Sequence, residues 1–364
     1  MINFRYHVVS LVAVFLALAV GIVLGAGPLK GTIGDTLNSQ VTQLRSEKDA
    51  LRSDLDQAQQ GESYRDTVIE SLLPQELSGL LPGERVAIVV AGDGAGDLVS
   101  ALQDAVSDAG GTVSGRVTVT SKWLEGQGSD LVAAAGALPS AAAGAGILVP
   151  SESPSASASP ESSASASASA EAARASDSLA SALVDALAGG DSGAAGAAAP
   201  ADVLASLKSS NMVDAGQVAS DAQEILVVVG SKLARPVTDS GPLDSSTKAQ
   251  RAAENRAVES VVRATGDVGA GTVVLGPADS AQDIVSLIRA DDDLSGEVST
   301  VDGPSTPLAV LLTARALAAE ASGQHGAYGV DGMAQGGAAL PSYVPVEPGD
   351  GSGSAAPSGA GSGQ

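Results

Sequence analysis

The 364-residue chain carries 42 acidic against 19 basic side chains, for a net charge of −23 at pH 7. That balance argues against nucleic acid and against an anionic lipid surface as partners, since both require basic patches. The chain has no cysteine, which rules out disulfides, thiolate metal sites and thiol nucleophiles.

Val8 to Leu29 form a run of 22 residues without a charge. At 1.5 Å of rise each, such a helix covers about 33 Å, enough for a bilayer core of about 30 Å. Arg5 and His7 precede the run and Lys30 follows it, where charged ends can stay among headgroups. Ala17-Leu18-Ala19 has the small-x-small form that a signal peptidase accepts, which leaves a cleaved signal peptide as the competing reading. The apolar residues continue through Val20, Ile22, Val23 and Leu24, which favours a retained anchor. A short head is easier to leave in the cytoplasm than the large remainder. Residues 1–7 are therefore expected inside and 30–364 outside.

Gly31–Gly34 reads as a linker, followed by a capping Asp35 or Thr36. Leu37, Val41, Leu44, Lys48, Leu51, Leu55 and Ala58 then alternate in steps of four and three. That spacing predicts a coiled coil over residues 33–60, with Lys48 inside the seam and Gly61 ending the run. An amphipathic helix packed on its own ectodomain is the alternative. Tyr64–Leu73 reads as a further short helix closed by Pro74.

The body follows in two parts, 62–150 and 176–334. Arg85–Ala91 is a continuous apolar run of the kind buried on both faces of a parallel sheet. A helix over Asp97–Ala109 and a strand over Thr112–Thr120 complete a β–α–β unit with a right-handed crossover. Ser151–Ala170 is almost entirely Ser, Ala, Pro and Glu, so 151–175 is expected to be a disordered insertion. Leu179–Leu187 and Val203–Leu207 are short helical patterns. Strands are predicted at Glu224–Gly230, Gly271–Leu275 and Val298–Asp302, with helices at Ser246–Thr265, Ser280–Ala290 and Thr306–Glu320. Residues 335–364 are a Gly/Ser/Pro-rich tail. The whole is an α/β protein: a transmembrane helix and coiled-coil stalk, then a doubly wound, mostly parallel sheet.

Catalytic signals are weak. Gly92-x-Gly94 lacks the third glycine of a dinucleotide fingerprint because Asp97 stands there, and no P-loop lysine follows. No Gly-x-Ser-x-Gly elbow is present, and His7 and His325 are the only imidazoles. Asp291-Asp292-Asp293 could attract a hard cation, yet an acidic run closing a helix is usually solvated. No enzyme activity and no bound cofactor are expected.

The opening Met1-Ile-Asn-Phe-Arg-Tyr-His-Val-Val-Ser, its apolar continuation to Gly25 and the heptads after it resemble the MctB copper transport proteins of actinobacteria. The stretches Val298-Ser-Thr-Val-Asp302, Thr306-Pro-Leu-Ala-Val-Leu-Leu and Gly326-Ala-Tyr-Gly329 are similar to the last strand and helix of that family. The resemblance implies an envelope protein that lowers internal copper, acting as a channel in the outer layer. For some members it implies instead a coiled-coil partner of a second membrane protein that controls envelope remodelling. The expected partners are thus the membrane and either a second copy in a homo-oligomer or a coiled-coil heteropartner, with no nucleic acid.

Copper(I) prefers thiolate and thioether, and copper(II) prefers imidazole. The chain offers only Met1, Met212, Met333, His7 and His325. His325 and Met333, near Tyr328 and Asp331, are the metal-site candidates, against the reading that they are incidental residues of a mobile tail.

Overall fold

The computed structural model describes residues 4–26, 29–92, 94–126, 128–139, 160–189, 198–230, 245–278, 280–304 and 306–329. The chain divides into two units, residues 1–67 and 68–364. The expected tail, 335–364, lies outside the described residues.

In the first unit, α1 (Phe4–Ala26) is a 23-residue helix that begins four residues earlier than the uncharged run, so Arg5 and His7 are helical. After it, α2 (Leu29–Leu77) runs for 49 residues, about 73 Å at 1.5 Å each. This corrects three boundaries. Gly31–Gly34 is helix and not a linker, Gly61 does not end the helix, and Tyr64–Leu73 is not a separate element. A glycine in a helix interior costs only about 1 kcal/mol, and Gly61 is flanked by the helix formers Gln59, Gln60 and Glu62. Pro74 is tolerated near the end, where only Leu77 and its neighbours follow.

The last ten residues of α2, from Val68 to Leu77, belong to the second unit, where Leu77 is buried and Leu73 packs against the core. Arg315 Nη2 grips Glu76 Oε2 at 2.5 Å. Then come β1 (Arg85–Ala91), α3 (Gly96–Asp108), β2 (Thr112–Val119), α4 (Ser121–Leu124), α5 (Gly128–Gly136), α6 (Pro160–Ala188), α7 (Pro200–Ser209) and β3 (Val213–Ala215). The chain continues through β4 (Glu224–Val229), α8 (Ser245–Val268), β5 (Gly271–Leu275), α9 (Ile284–Ala290), β6 (Ser299–Val301), α10 (Pro307–Glu320) and β7 (Ala327–Tyr328).

The strands form one seven-stranded sheet in the order β3-β2-β1-β4-β5-β6-β7. Every neighbouring pair is parallel except β2 with β3. The expected parallel, doubly wound sheet is therefore found with an antiparallel edge. Residues 86–91 of β1 and 224–229 of β4 are buried without interruption, as a strand covered on both faces must be. Val86, Ile88 and Val90 face α3, α10 and the end of α2, whereas Ala87, Val89 and Ala91 face the layer that holds α5, α6 and α8.

The sheet is unusual at one edge. From β1 to β2 and from β4 to β5 the chain steps in opposite directions, with α3 and α8 on opposite faces, so these crossovers share one hand. From β6 to β7 it steps the same way as from β4 to β5, yet α10 lies on the face of α3. That last crossover has the opposite hand, which is rare, and it is made for a strand of only two residues.

The insertion expected at 151–175 is corrected from residue 160 onward. Residues 151–159 lie outside the described residues, but α6 is a 29-residue helix starting at Pro160. Its alanines supply helix propensity, proline suits a first helical position, and the far half is buried through Leu179, Leu183 and Leu187. Packing of that half stabilises a helix that the Ser/Ala composition alone would not hold. Leu183→Ala is expected to lower unfolding free energy by about 2–5 kcal/mol. A urea titration would show it as a lower midpoint at unchanged slope, and an unmoved midpoint would mean that α6 is not part of the core.

Candidate functional site

Among the described residues, Phe4–Gly25 is the one helix long and apolar enough to cross a membrane. Its large side chains stand exposed all round the helix, from Val9 and Phe15 to Leu24. An apolar surface of this kind is soluble only if lipid or protein covers it. Arg5 and His7 lie in its first turns, and Lys30 lies in the first turn of α2.

The heptad seam is exposed as well. Leu37, Val41, Leu44, Leu51 and Leu55 are 39% to 69% exposed, and Ala58 is exposed. Lys48 sits among them with its ammonium 3.6 Å from the neighbouring Asp49. Gln43 Nε2 donates to Glu47 Oε1 at 2.8 Å along the same helix.

In the body, the doubly wound plan places ligands at the C-terminal strand ends, where the strand order reverses between β1 and β4. There Gly230 N–H donates to Ala91 O at 2.8 Å, closing the two strands together. Gly92 and Gly94 have φ of +81° and +92°, the region that favours glycine. Asp93 and residues 231–244 lie outside the described residues.

The strongest polar feature at this end is structural. Arg289, in the last turn of α9, donates from Nε to Thr300 Oγ1 at 2.9 Å, from Nη1 to Asp302 Oδ2 at 2.9 Å and from Nη2 to Tyr328 O at 2.8 Å. The ion pair is fully buried, with side chains 3% and 0% exposed. It ties α9 to β6 and β7, the strand reached by the reversed crossover. Gly329 completes the fit: its φ is +135°, and a Cβ there would fall on the Asp302 carboxylate.

In the run Asp291-Asp292-Asp293 the first carboxylate is held by its neighbours. Asp291 Oδ1 accepts N–H groups from Asp293 at 3.0 Å and Leu294 at 3.1 Å, and Oδ2 accepts from Arg263 at 2.7 Å. The backbone bond from Leu294 and the guanidinium hold this carboxyl below its ordinary pKa. The acids close α9 and start the next turn.

A second polar cluster, not foreseen from the sequence, lies at the opposite end of the strands. Glu224 opens β4 and pairs in register with Gly271, whose missing side chain leaves room for the carboxylate. Glu224 Oε2 is buried without a hydrogen-bond partner. Burial, then Glu320 and Glu84, push its pKa up to about 8, so it keeps its proton at neutral pH. Glu320, at the end of α10, accepts from Thr272 N–H at 3.3 Å and from His325 Nδ1 at 3.0 Å. A carboxylate can only accept, so Nδ1 of His325 carries the hydrogen. Tyr328 is raised by burial and by Glu320, and its hydroxyl bonds to Ser299.

His325 lies among the described residues, and its described partner is Glu320. Met333 lies outside the described residues. Met212 is sealed in the core at 0% exposure. Among the described residues no three His, Cys, Asp or Glu side chains converge to hold a metal ion. One small cleft of about 250 Å³ is floored by Trp123, whose indole N–H already donates to buried Ser176 at 3.1 Å.

A helix long and apolar enough to cross a membrane, ahead of a mixed seven-stranded sheet, defines an α/β protein with one candidate membrane helix among its described residues. The family model described as "Copper transport outer membrane protein, MctB" matches residues 1–338, and the chain belongs to that family. It is 33% identical over 130 residues to the copper transporter MctB of Mycobacterium tuberculosis and to that of Mycobacterium bovis. The Mycobacterium leprae copper transporter MctB is 32% identical over the same length. Each alignment covers 36% of this chain and 41% of the relative. The family is named for transport and not for a catalysed reaction.

The Glu224 carboxyl makes stability depend on pH. Its folded pKa, about 8, lies above the ordinary 4.5, so its contribution is whole below 4.5 and declines as pH rises to about 8. Melting curves between about pH 5 and pH 9 are expected to show the parent chain losing stability relative to Glu224→Gln. Parallel pH profiles for the two proteins would show that Glu224 is not protonated in the fold.

Proposed function

We propose that this chain is an envelope-anchored component of copper efflux, with copper as cargo and not as a resident cofactor. The observation that carries the reading is the family match over residues 1–338, which takes in the apolar helix, the stalk helix and all seven strands. On this reading α1 stays in the bilayer with Arg5, His7 and Lys30 at its borders, and the rest of the chain lies outside the cytoplasm.

The donor chemistry limits how the chain can take part. Copper(I) seeks sulfur and copper(II) seeks imidazole. Here the described thioether is buried, and His325 stands beside a single carboxylate that orients it. One imidazole does not make a site, although an Nδ1–carboxylate bond is the arrangement that leaves Nε2 available to a metal. A lone span cannot enclose water, so passage of an ion through this protein requires assembly with other helices.

The exposed seam of α2 favours a second reading: an interaction protein whose helix pairs with a second membrane protein to regulate envelope remodelling. Copper separates the two. A strain lacking the chain is expected to grow less well in added copper and to hold more cellular copper, with both restored by the full chain. Unchanged tolerance together with unchanged copper content would remove the transport reading and leave the second.

A further inference from the structure

The side chains beside the seam say what covers it. With Val41, Lys48 and Leu55 at heptad position a, Leu37, Leu44, Leu51 and Ala58 occupy d. Arg45 and Arg52 then fall at e, Glu47 and Asp54 at g, and Ser39, Ser46 and Ser53 on the outward line f. All lie on the unbroken helix α2 and all are exposed. The charged e positions are basic and the charged g positions are acidic.

That asymmetry selects a partner and a direction. In a parallel, in-register pair, g of one helix meets e of the next heptad on the other, which sets Glu47 against Arg52 of the second copy, twice by symmetry. In an antiparallel pair e meets e and g meets g, so arginine would face arginine and carboxylate would face carboxylate. Val41 at a with leucines at d favours two strands, and a single lysine at a fixes register at some cost in stability. Two Lys48 stems can lie along a two-stranded seam with their ammonium groups in water, which a wider bundle would not allow. We infer that α2 is one strand of a parallel, in-register, two-stranded coiled coil formed with a second copy of this chain. The inference rests on the stalk's own side chains, so it stands or falls separately from the copper reading.

Because the chain has no cysteine, single reporters are clean. Leu37→Cys and Ala58→Cys, at opposite ends of the seam, are made separately in the full-length protein and oxidised in isolated membranes. Each alone is expected to give a disulfide-linked species of twice the 35.4 kDa chain mass, while Ser46→Cys stays monomeric. A bond that forms only between the two variants when mixed would overturn the parallel sense. No bond at either seam position, or a bond to a chain of another mass, would overturn the second copy as occupant.

The charge pairs are tested in the Ala58→Cys background. Glu47→Arg or Arg52→Glu alone is expected to weaken association about tenfold, since two attractive contacts become repulsive. The double variant E47R/R52E restores the parent level. Failure of that rescue would overturn the charge-set register even if the helices pair. Crosslinks together with unaltered copper tolerance in the deletion strain would sink the transport reading alone, and missing crosslinks beside a clear copper phenotype would sink only this one.

Discussion

The two central strands admit no water on either face, and that constraint arranges the rest of the second unit. From Val86 to Ala91 and from Ile225 to Val229 every side chain is apolar and buried. A charge on either run would need a partner inside a dry core. The ionisable groups of these two strands, Arg85 and Glu224, therefore stand at their first residues. At the C-terminal end, Arg289 and Asp302 neutralise one another, with Thr300 and the Tyr328 carbonyl taking two further guanidinium donors. At the N-terminal end, Glu320 is paired with His325 while Glu224 remains protonated. The two ends solve one problem in two ways, by ion pairing and by holding a proton.

The Arg289 clamp also bears on topology. Chains rarely make a crossover of the less common hand, and a strand of two residues offers few ladder bonds to hold one. Here the last strand is kept by side-chain contacts as well as by the ladder. A guanidinium from the opposite layer reaches both β6 and the carbonyl of Tyr328, and Gly329 lets the chain close over Asp302. Buried pairs of this kind contribute little against a well-packed apolar substitute, but removal of one partner costs about 3–5 kcal/mol. The clamp is better regarded as a device for choosing one arrangement of an edge than as a source of overall stability.

Elements with local signals were legible in the amino-acid order. Arg85–Ala91, Glu224–Val229 and Gly271–Leu275 are dense in β-branched residues, and such runs declare buried strands on their own. The apolar start of the chain and the heptads of α2 were equally plain. Glycine and proline are poor guides in α2, because Gly61 and Pro74 have the form of stops yet surrounding helix formers outweigh them. Composition misled at α6, whose first half is Ser/Ala and whose stability comes from leucines a few turns later. Strands β3 and β7, of three and two residues, are too short for any pattern to register. The acidic cluster was hidden for another reason. Glu224, Gly271 and the neighbouring pair Glu320 and His325 are far apart in sequence, and the strand order brings these three places together. A single hint was present: Glu224 opens an otherwise apolar run, and a carboxyl at the head of a buried strand calls for a partner or a proton.

On the proposed reading, in which α1 stays in the bilayer and α2 pairs with a second copy, anchoring and pairing are connected by energetics. A seam of about three heptads with a lysine inside it and an alanine at its end is a weak coiled coil in free solution. Two copies held by their first helices in one bilayer no longer search three dimensions, and both stalks start from the same surface in the same direction. The effective concentration of one stalk about the other rises accordingly, without a single new contact. A seam of this modest quality suits such confinement, because a stronger one would pair wherever the chains met, before the membrane had set their sense. On the proposed pairing, then, α1 contributes to the coil it precedes by supplying both proximity and polarity, and the exposed apolar line of α2 has a physical reason to remain short and imperfect.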